Sequence, residues 1–211
     1  MAKKVIIFDF DGTIADSLPV VFEIINEFAR REGFEKISEE KIYELRDLPA
    51  SHIFKQIGIS KLKFPFFLKK FRENFGKRIS SIKAISSISE NIKKLKEKNY
   101  ILGIVTSNSY ENVKKFCKNN NLDIFDFIYS DESIFSKDKI LKRLLKKYNF
   151  EGGNVLYVGD EIRDIEAAKK SGIRMLAVGW GFNSKKALLE NNPDYFIDDP
   201  SELIPAEIWE K

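Results

Sequence analysis

The sequence predicts an α/β fold: a doubly wound parallel sheet with a small all-helical domain inserted after the first strand. Two observations predict it. Runs at 5–8, 101–106, 127–129, 155–158 and 175–178 are short, apolar on both faces and separated by helical patterns, as strands of a sheet covered on both sides must be. Between Leu18 and about Lys83 the β signal vanishes and only helical periodicity remains.

After the first strand, Val20, Val21, Ile24, Ile25 and Phe28 make a helical stripe that Gly33 ends. Ser38-Glu39-Glu40 starts a second helix over Ile42 and Leu45. Pro65 suits the first turn of a third, in which Phe67, Phe71 and Phe75 recur every four residues. Such an aromatic row reads as packing within a helical cap and not as a ligand-stacking device. Ser89 reads as the N-cap of a helix over 90–98, and Ser171-Gly172 as the end of the helix that carries Ala167 and Ala168. A last short strand is expected at 195–197. The division is therefore a core of 1–17 and 84–211, with a helical cap of 18–83 standing over the end of strand one.

Composition sets outer bounds. The chain has 211 residues and 43% hydrophobic content, enough to bury a sizeable core. Its net charge is +4, with lysines scattered among 32 acidic residues, which reads as a solvated surface and gives no support to nucleic-acid binding. The one cysteine, Cys117, excludes an internal disulfide framework, suits a reducing compartment and reads as a helix-face residue. Only four apolar residues separate Met1-Ala2-Lys3-Lys4 from Asp9, too few for a signal peptide, and no run approaches a membrane span. A cytoplasmic protein without a membrane partner is expected; oligomeric state is not readable.

The polar residues that stand out fall at strand ends. Asp9 and Asp11 leave strand one on alternate positions, so an extended chain would send both to one side, where two like charges need a cation or a shared proton. Thr106-Ser107-Asn108 follow strand two, and Gly159-Asp160 follow the fourth. In an open parallel sheet ligands bind at the carboxyl ends of the strands, where the strand order reverses. The segments therefore converge on one expected site.

Taken in order, Asp9-Phe10-Asp11-Gly12-Thr13, Thr106 after Ile104-Val105, a lysine opening the helix near Ser136, and Gly159-Asp160-Glu161-Ile162-Arg163-Asp164 resemble the four motifs of the haloacid dehalogenase superfamily. The helical insertion between the first and second motifs resembles the cap of its phosphoglycolate-phosphatase-like branch. The resemblance covers nearly the whole chain outside the cap and implies a Rossmann-like core and a Mg²⁺-dependent phosphatase acting on a small phosphorylated metabolite. It implies Asp9 as a nucleophile that becomes an aspartyl phosphate, and Asp11 as the acid that protonates the leaving group and then activates water. Mg²⁺ would be held by Asp9, the Asp11 carbonyl and Asp160, with a phosphate oxygen and waters. Thr106 would bind a phosphoryl oxygen, with Ser107 and Asn108 and the backbone N–H groups near Asn108 and Gly12 adding donors. Asp164, one turn after Asp160, would hold a metal-bound water or the lysine, or else serve as an ordinary acid at a helix N-terminus.

For the lysine, Lys137 and Lys139 compete. Ile140, Leu141, Leu144, Leu145 and Tyr148 mark a buried stripe; Lys137 extends it back one turn, whereas Lys139 lies with Lys142, Arg143 and Lys146. Lys137 is the expected site residue. The second aspartate, Asp11, favours phosphoryl transfer over dehalogenation within the superfamily. His52, the one histidine, lies in the cap outside every motif. Glu161, Arg163 and Gly179-Trp180-Gly181-Phe182 resemble a subgroup of these hydrolases, with Trp180 and Phe182 read as packing; Arg46 is considered as a contact for an anionic substrate. Two alternatives share the motifs: a phosphomutase of the beta-phosphoglucomutase kind, and a non-catalytic phosphate-binding regulatory protein.

Overall fold

The computed structural model describes residues 3–33, 35–48, 59, 62–131 and 137–203. Six strands form one parallel sheet in the order β3-β2-β1-β4-β5-β6: β1 Val5–Phe8, β2 Ile101–Thr106, β3 Phe127–Ser130, β4 Val155–Gly159, β5 Arg174–Val178 and β6 Tyr195–Ile197. The order reverses at β1, which pairs with β2 on one side and β4 on the other, so the crevice of a doubly wound sheet opens at the end of β1.

Alternation along the strands feeds two cores. Ile6, Phe8, Leu102, Ile104, Leu156 and Val158 lie in one buried cluster with α4 (Ile88–Glu97) and α5 (Tyr110–Asn119). Val5, Ile7, Val155, Tyr157 and Met175 lie in the other with α6 (Lys137–Tyr148), α7 (Ile162–Ser171) and α8 (Lys185–Glu190). Gly172, at φ 67°, ends α7 in the left-handed conformation that glycine adopts without steric cost. Gly103 has a different reason: a Cβ there would lie 2.1 Å from the Phe127 ring, so β2 can carry no side chain beside β3 at that point.

One boundary differs from the sequence expectation. The helix expected to begin after Ser89 begins at Ile88, and its N-cap position is Ser87 at φ 62°, without a side-chain cap. Ile88 is fully buried, and its burial draws the helix start ahead of the serine that would cap it better.

Among the described residues, three helices come from the segment between β1 and α4: α1 (Leu18–Glu32), α2 (Glu39–Leu45) and α3 (Phe64–Arg78). Gly33 at φ 73° ends α1, the Ser38 hydroxyl caps α2 by accepting from the Lys41 N–H, and Pro65 sits in the first turn of α3. Phe22, Ile25, Phe28, Leu45 and Phe67 form a third buried cluster separate from the sheet faces. Ile24, Phe75 and Ile79, by contrast, join the cluster of Ile6 and Phe8. The two strands of chain that enter and leave this segment run side by side: the Asp16 N–H donates to Lys83 O at 2.9 Å and the Ile85 N–H to Ile14 O at 2.9 Å. His52 lies outside the described residues.

Candidate active site

The site is built at the carboxyl end of β1. Asp9 still donates its N–H to Val158 O of β4 at 2.8 Å, so its side chain leaves the sheet where β1 and β4 begin to part. The chain then turns at Gly12, φ 76°, where a Cβ would stand 2.3 Å from Asp160 Oδ2; only glycine fits. Thr13, next in line, donates its hydroxyl to Asp160 Oδ1 at 2.6 Å.

Asp9, Asp160 and Asp164 are each 2% exposed or less and offer carboxylate oxygens that lie within 4.8 Å of one another. Lys137 reaches this group from the first turn of α6. Its ammonium is 2.9 Å from Asp9 Oδ2 and 2.5 Å from Asp164 Oδ1. Beyond this ion pair with Lys137, Asp9 Oδ2 is buried with no hydrogen bond. Lys139 is exposed, as the helical stripe requires.

Asp164 makes contacts in two directions. One oxygen pairs with Lys137, and the other accepts the N–H groups of Asp160 and Glu161 at 3.2 and 3.1 Å, closing the N-terminus of α7. Asp11 is not one of the three grouped carboxylates, and its Oδ2 accepts the Asn108 side-chain amide at 2.9 Å. Thr106 is buried, and its hydroxyl oxygen accepts the Asn108 N–H at 3.0 Å. That backbone donor, expected to face a ligand, is thus spent on Thr106, while the hydroxyl proton of Thr106 stays available. Ser109 accepts from the Asn112 N–H as the N-cap of α5, and Ser130 donates to Asn108 O at 2.5 Å, fixing the turn after β2.

Burial governs the electrostatics. It raises Asp9 to about 7, against the opposing pull of Lys137 and with a further push from Asp164. It raises Asp11 to about 6, moderated by the Asn108 hydrogen bond. Asp160 is held well above the carboxylate range by burial, then by Glu161, Asp164 and Asp9. Burial opposes charge on Lys137, but Asp164 and Asp9 outweigh it and its pKa is raised. Carboxylates forced together without enough cations hold protons instead, and a divalent cation among them would release those protons. An all-oxygen donor set with an unbonded buried oxygen on Asp9 suits a hard cation, so these residues fit a metal.

Beside the triad lies a cavity of about 360 Å³. Asp11, Ser107, Asn108 and Arg163 line its core side. Phe67 and Phe71 line it from α3, although Phe67 is also packed in the third apolar cluster, so the aromatic row both packs and faces the cavity. Arg163 is clamped by Glu161, whose Oε1 accepts from Nε at 2.9 Å and Nη2 at 2.5 Å.

The contacts not foreseen come from distant chain. Phe182 donates its N–H to Asp160 Oδ2 at 2.7 Å, and Trp180 donates Nε1–H to Thr13 O at 3.2 Å, so both act on the site as well as packing near it. Thr13 was findable, since a hydroxyl beside the Gly12 turn must point somewhere close to the carboxylates. Asn183 carried no local signal. Arg46, considered above for an anionic substrate, donates Nε to Phe182 O at 3.1 Å and Nη2 to Gly181 O at 2.8 Å. A guanidinium satisfied by two carbonyls is fixed as a tie between segments.

Comparisons with known proteins bear on the family and the fold. A family model of haloacid dehalogenase-like hydrolases matches residues 6–178. A phosphoglycolate phosphatase of Synechococcus elongatus is 33% identical over 96% of each chain, and a pyrophosphatase of Bacillus mycoides is 23% identical over 97% of each. A haloacid dehalogenase-like family protein of Streptococcus pneumoniae superposes with a TM-score of 0.82 over 95% of this chain and 96% of its own, at 24% identity. The chain therefore belongs to the haloacid dehalogenase-like hydrolases, in their phosphoglycolate-phosphatase-like branch, and is an enzyme of the phosphatase type.

Proposed function

We propose that this enzyme is a Mg²⁺-dependent phosphatase that hydrolyses a small phosphorylated metabolite through an aspartyl phosphate on Asp9. The observation that carries the reading is the buried Asp9 carboxylate at the end of β1, 2.9 Å from the Lys137 ammonium and grouped with Asp160 and Asp164.

In this reading an Asp9 oxygen attacks phosphorus and the bond from phosphorus to the leaving oxygen breaks. Asp11, lifted to about 6 by burial, is poised to give that oxygen its proton and then to take one from the water that cleaves the acyl phosphate and restores Asp9. The Thr106 hydroxyl donates to a phosphoryl oxygen. Lys137 opposes the burial that protonates Asp9 and so favours the ionised nucleophile. Asp9, Asp160 and the Asp11 main-chain carbonyl would hold Mg²⁺, which when bound supplies positive charge against the phosphoryl oxygens. The helical segment 18–83 serves as a cap, its paired connections at 14–16 and 83–85 acting as the hinge. A cytoplasmic location belongs to this reading, supported by one buried cysteine and a mixed-charge surface.

Among substrates, 2-phosphoglycolate and pyrophosphate come first because relatives are phosphoglycolate phosphatases and pyrophosphatases. The test is release of inorganic phosphate from a panel of phosphorylated metabolites with Mg²⁺. Phosphate release without added sugar bisphosphate separates this reading from a phosphomutase. A folded wild-type chain that releases phosphate from nothing in the panel overturns it.

A further inference from the structure

The loop Gly181–Asn183 presses on Asp160 from one side and is gripped from the other. Inward, the Phe182 N–H donates to Asp160 Oδ2 at 2.7 Å, and the Asn183 N–H donates to Asp160 O at 3.2 Å. Asn183 Oδ1 also accepts the Ile162 N–H at 2.9 Å, seating the loop on the start of α7. Outward, the carbonyls of Gly181 and Phe182 accept from the Arg46 guanidinium. Asn183 Nδ2 donates back to Arg46 O at 2.8 Å and Leu48 O at 3.0 Å, and the Ser184 N–H donates to Arg46 O at 2.9 Å. Arg46 follows directly on α2, in the inserted segment. There is no slack in the bracket, since a Cβ on Gly181 would stand 2.2 Å from Asp160 Oδ2.

The same peptide units thus face a site carboxylate and the cap. We propose that Arg46 and Asn183 are positioning residues: by tying the end of α2 to the Gly181–Asn183 loop, they make docking of this part of the cap and the orientation of Asp160 one event. Lifting the α2 end breaks the outward bonds, frees the loop and loosens the groups that aim Asp160. The proposal rests on the reading of Asp160 as a metal ligand. Partners that orient a ligand in this way are commonly worth tenfold or more in metal affinity.

The test is Mn²⁺ binding to metal-free protein by titration calorimetry, with thermal unfolding measured alongside. Arg46→Leu is expected to weaken Mn²⁺ binding about tenfold while the folded state persists, and Arg46→Lys, which keeps one donor for the carbonyls, to recover part of the loss. Unchanged affinity in a folded Arg46→Leu overturns the proposal. If Arg46→Leu does not fold, Arg46→Lys decides, and an affinity within about twofold of wild type overturns it. Wild type that binds no Mn²⁺ sinks the metal reading of Asp160 and this proposal with it, whereas wild-type binding with an indifferent Arg46→Leu sinks this proposal alone.

Discussion

The Lys137 ammonium lies 2.9 Å from Asp9 Oδ2, the one cation in direct contact with that carboxylate among the described residues. An ammonium so placed offsets the charge of a carboxylate whose burial alone would hold it protonated. Lys137→Ala is expected to lower kcat/KM at least about a hundredfold, on the scale of losing one electrostatic contact to the transition state. Lys139→Ala, at an exposed position on the same helix, should change it little. Steady-state kinetics of the two variants check the ranking, and the reverse order would refute the assigned role.

Metal binding should depend on pH with a definite sign. Asp9 titrates near 7, and Asp160 lies well above the carboxylate range, so in metal-free protein these groups hold protons at neutral pH. A cation must displace them. Affinity is therefore expected to rise from pH 6 to pH 8, with proton release on binding. Calorimetry in buffers of different ionisation enthalpy measures that release; an affinity flat across this range contradicts it.

Thr13→Val keeps the shape of the side chain and removes the hydroxyl that donates to Asp160 Oδ1. A buried acceptor stripped of its donor costs about 1–3 kcal/mol, so Tm should fall and metal binding weaken together. Gly12→Ala should be worse, because φ 76° disfavours any side chain and the added methyl meets Asp160. Equal stability of wild type and Gly12→Ala would mean the turn is not built as described.

Cys117 is buried, and its thiol is pushed up to about 12 by burial, then by Asp123. The thiolate is the reactive form, so the native protein is expected to resist a disulfide-exchange reagent at pH 8 and to react fully once unfolded by denaturant. Rapid labelling of native protein would contradict the burial.

Much of this architecture was legible because it is local. Runs such as 155–158 and 175–178 announce strands by being apolar on both faces, and Ile140, Leu141 and Leu144 register α6 well enough to bury Lys137 and expose Lys139, although Tyr148, expected in the same buried stripe, is exposed near the end of the helix. Boundaries were read less well where burial competed with capping, as at Ile88 and Ser89. What could not be read was long-range pairing. Nothing beside Arg46 announces that its guanidinium ends on the carbonyls of Gly181 and Phe182, nor does anything near Asn183 announce that its amide closes the other side of that tie. A hydrogen bond between distant segments leaves no periodicity in either of them.

The covalent role of Asp9 is the central claim, and trapping tests it most directly. If Asp11 activates water as proposed, Asp11→Asn removes that step but leaves an aryl phosphate, whose leaving group needs no proton, able to react. Mixed with p-nitrophenyl phosphate and Mg²⁺, this variant should release one nitrophenol per enzyme in a burst. Borohydride reduction of the quenched protein should then convert Asp9, located by peptide mass spectrometry, to homoserine. Nitrophenol release with Asp9 unmodified, or with the phosphoryl group on another residue, would contradict the account.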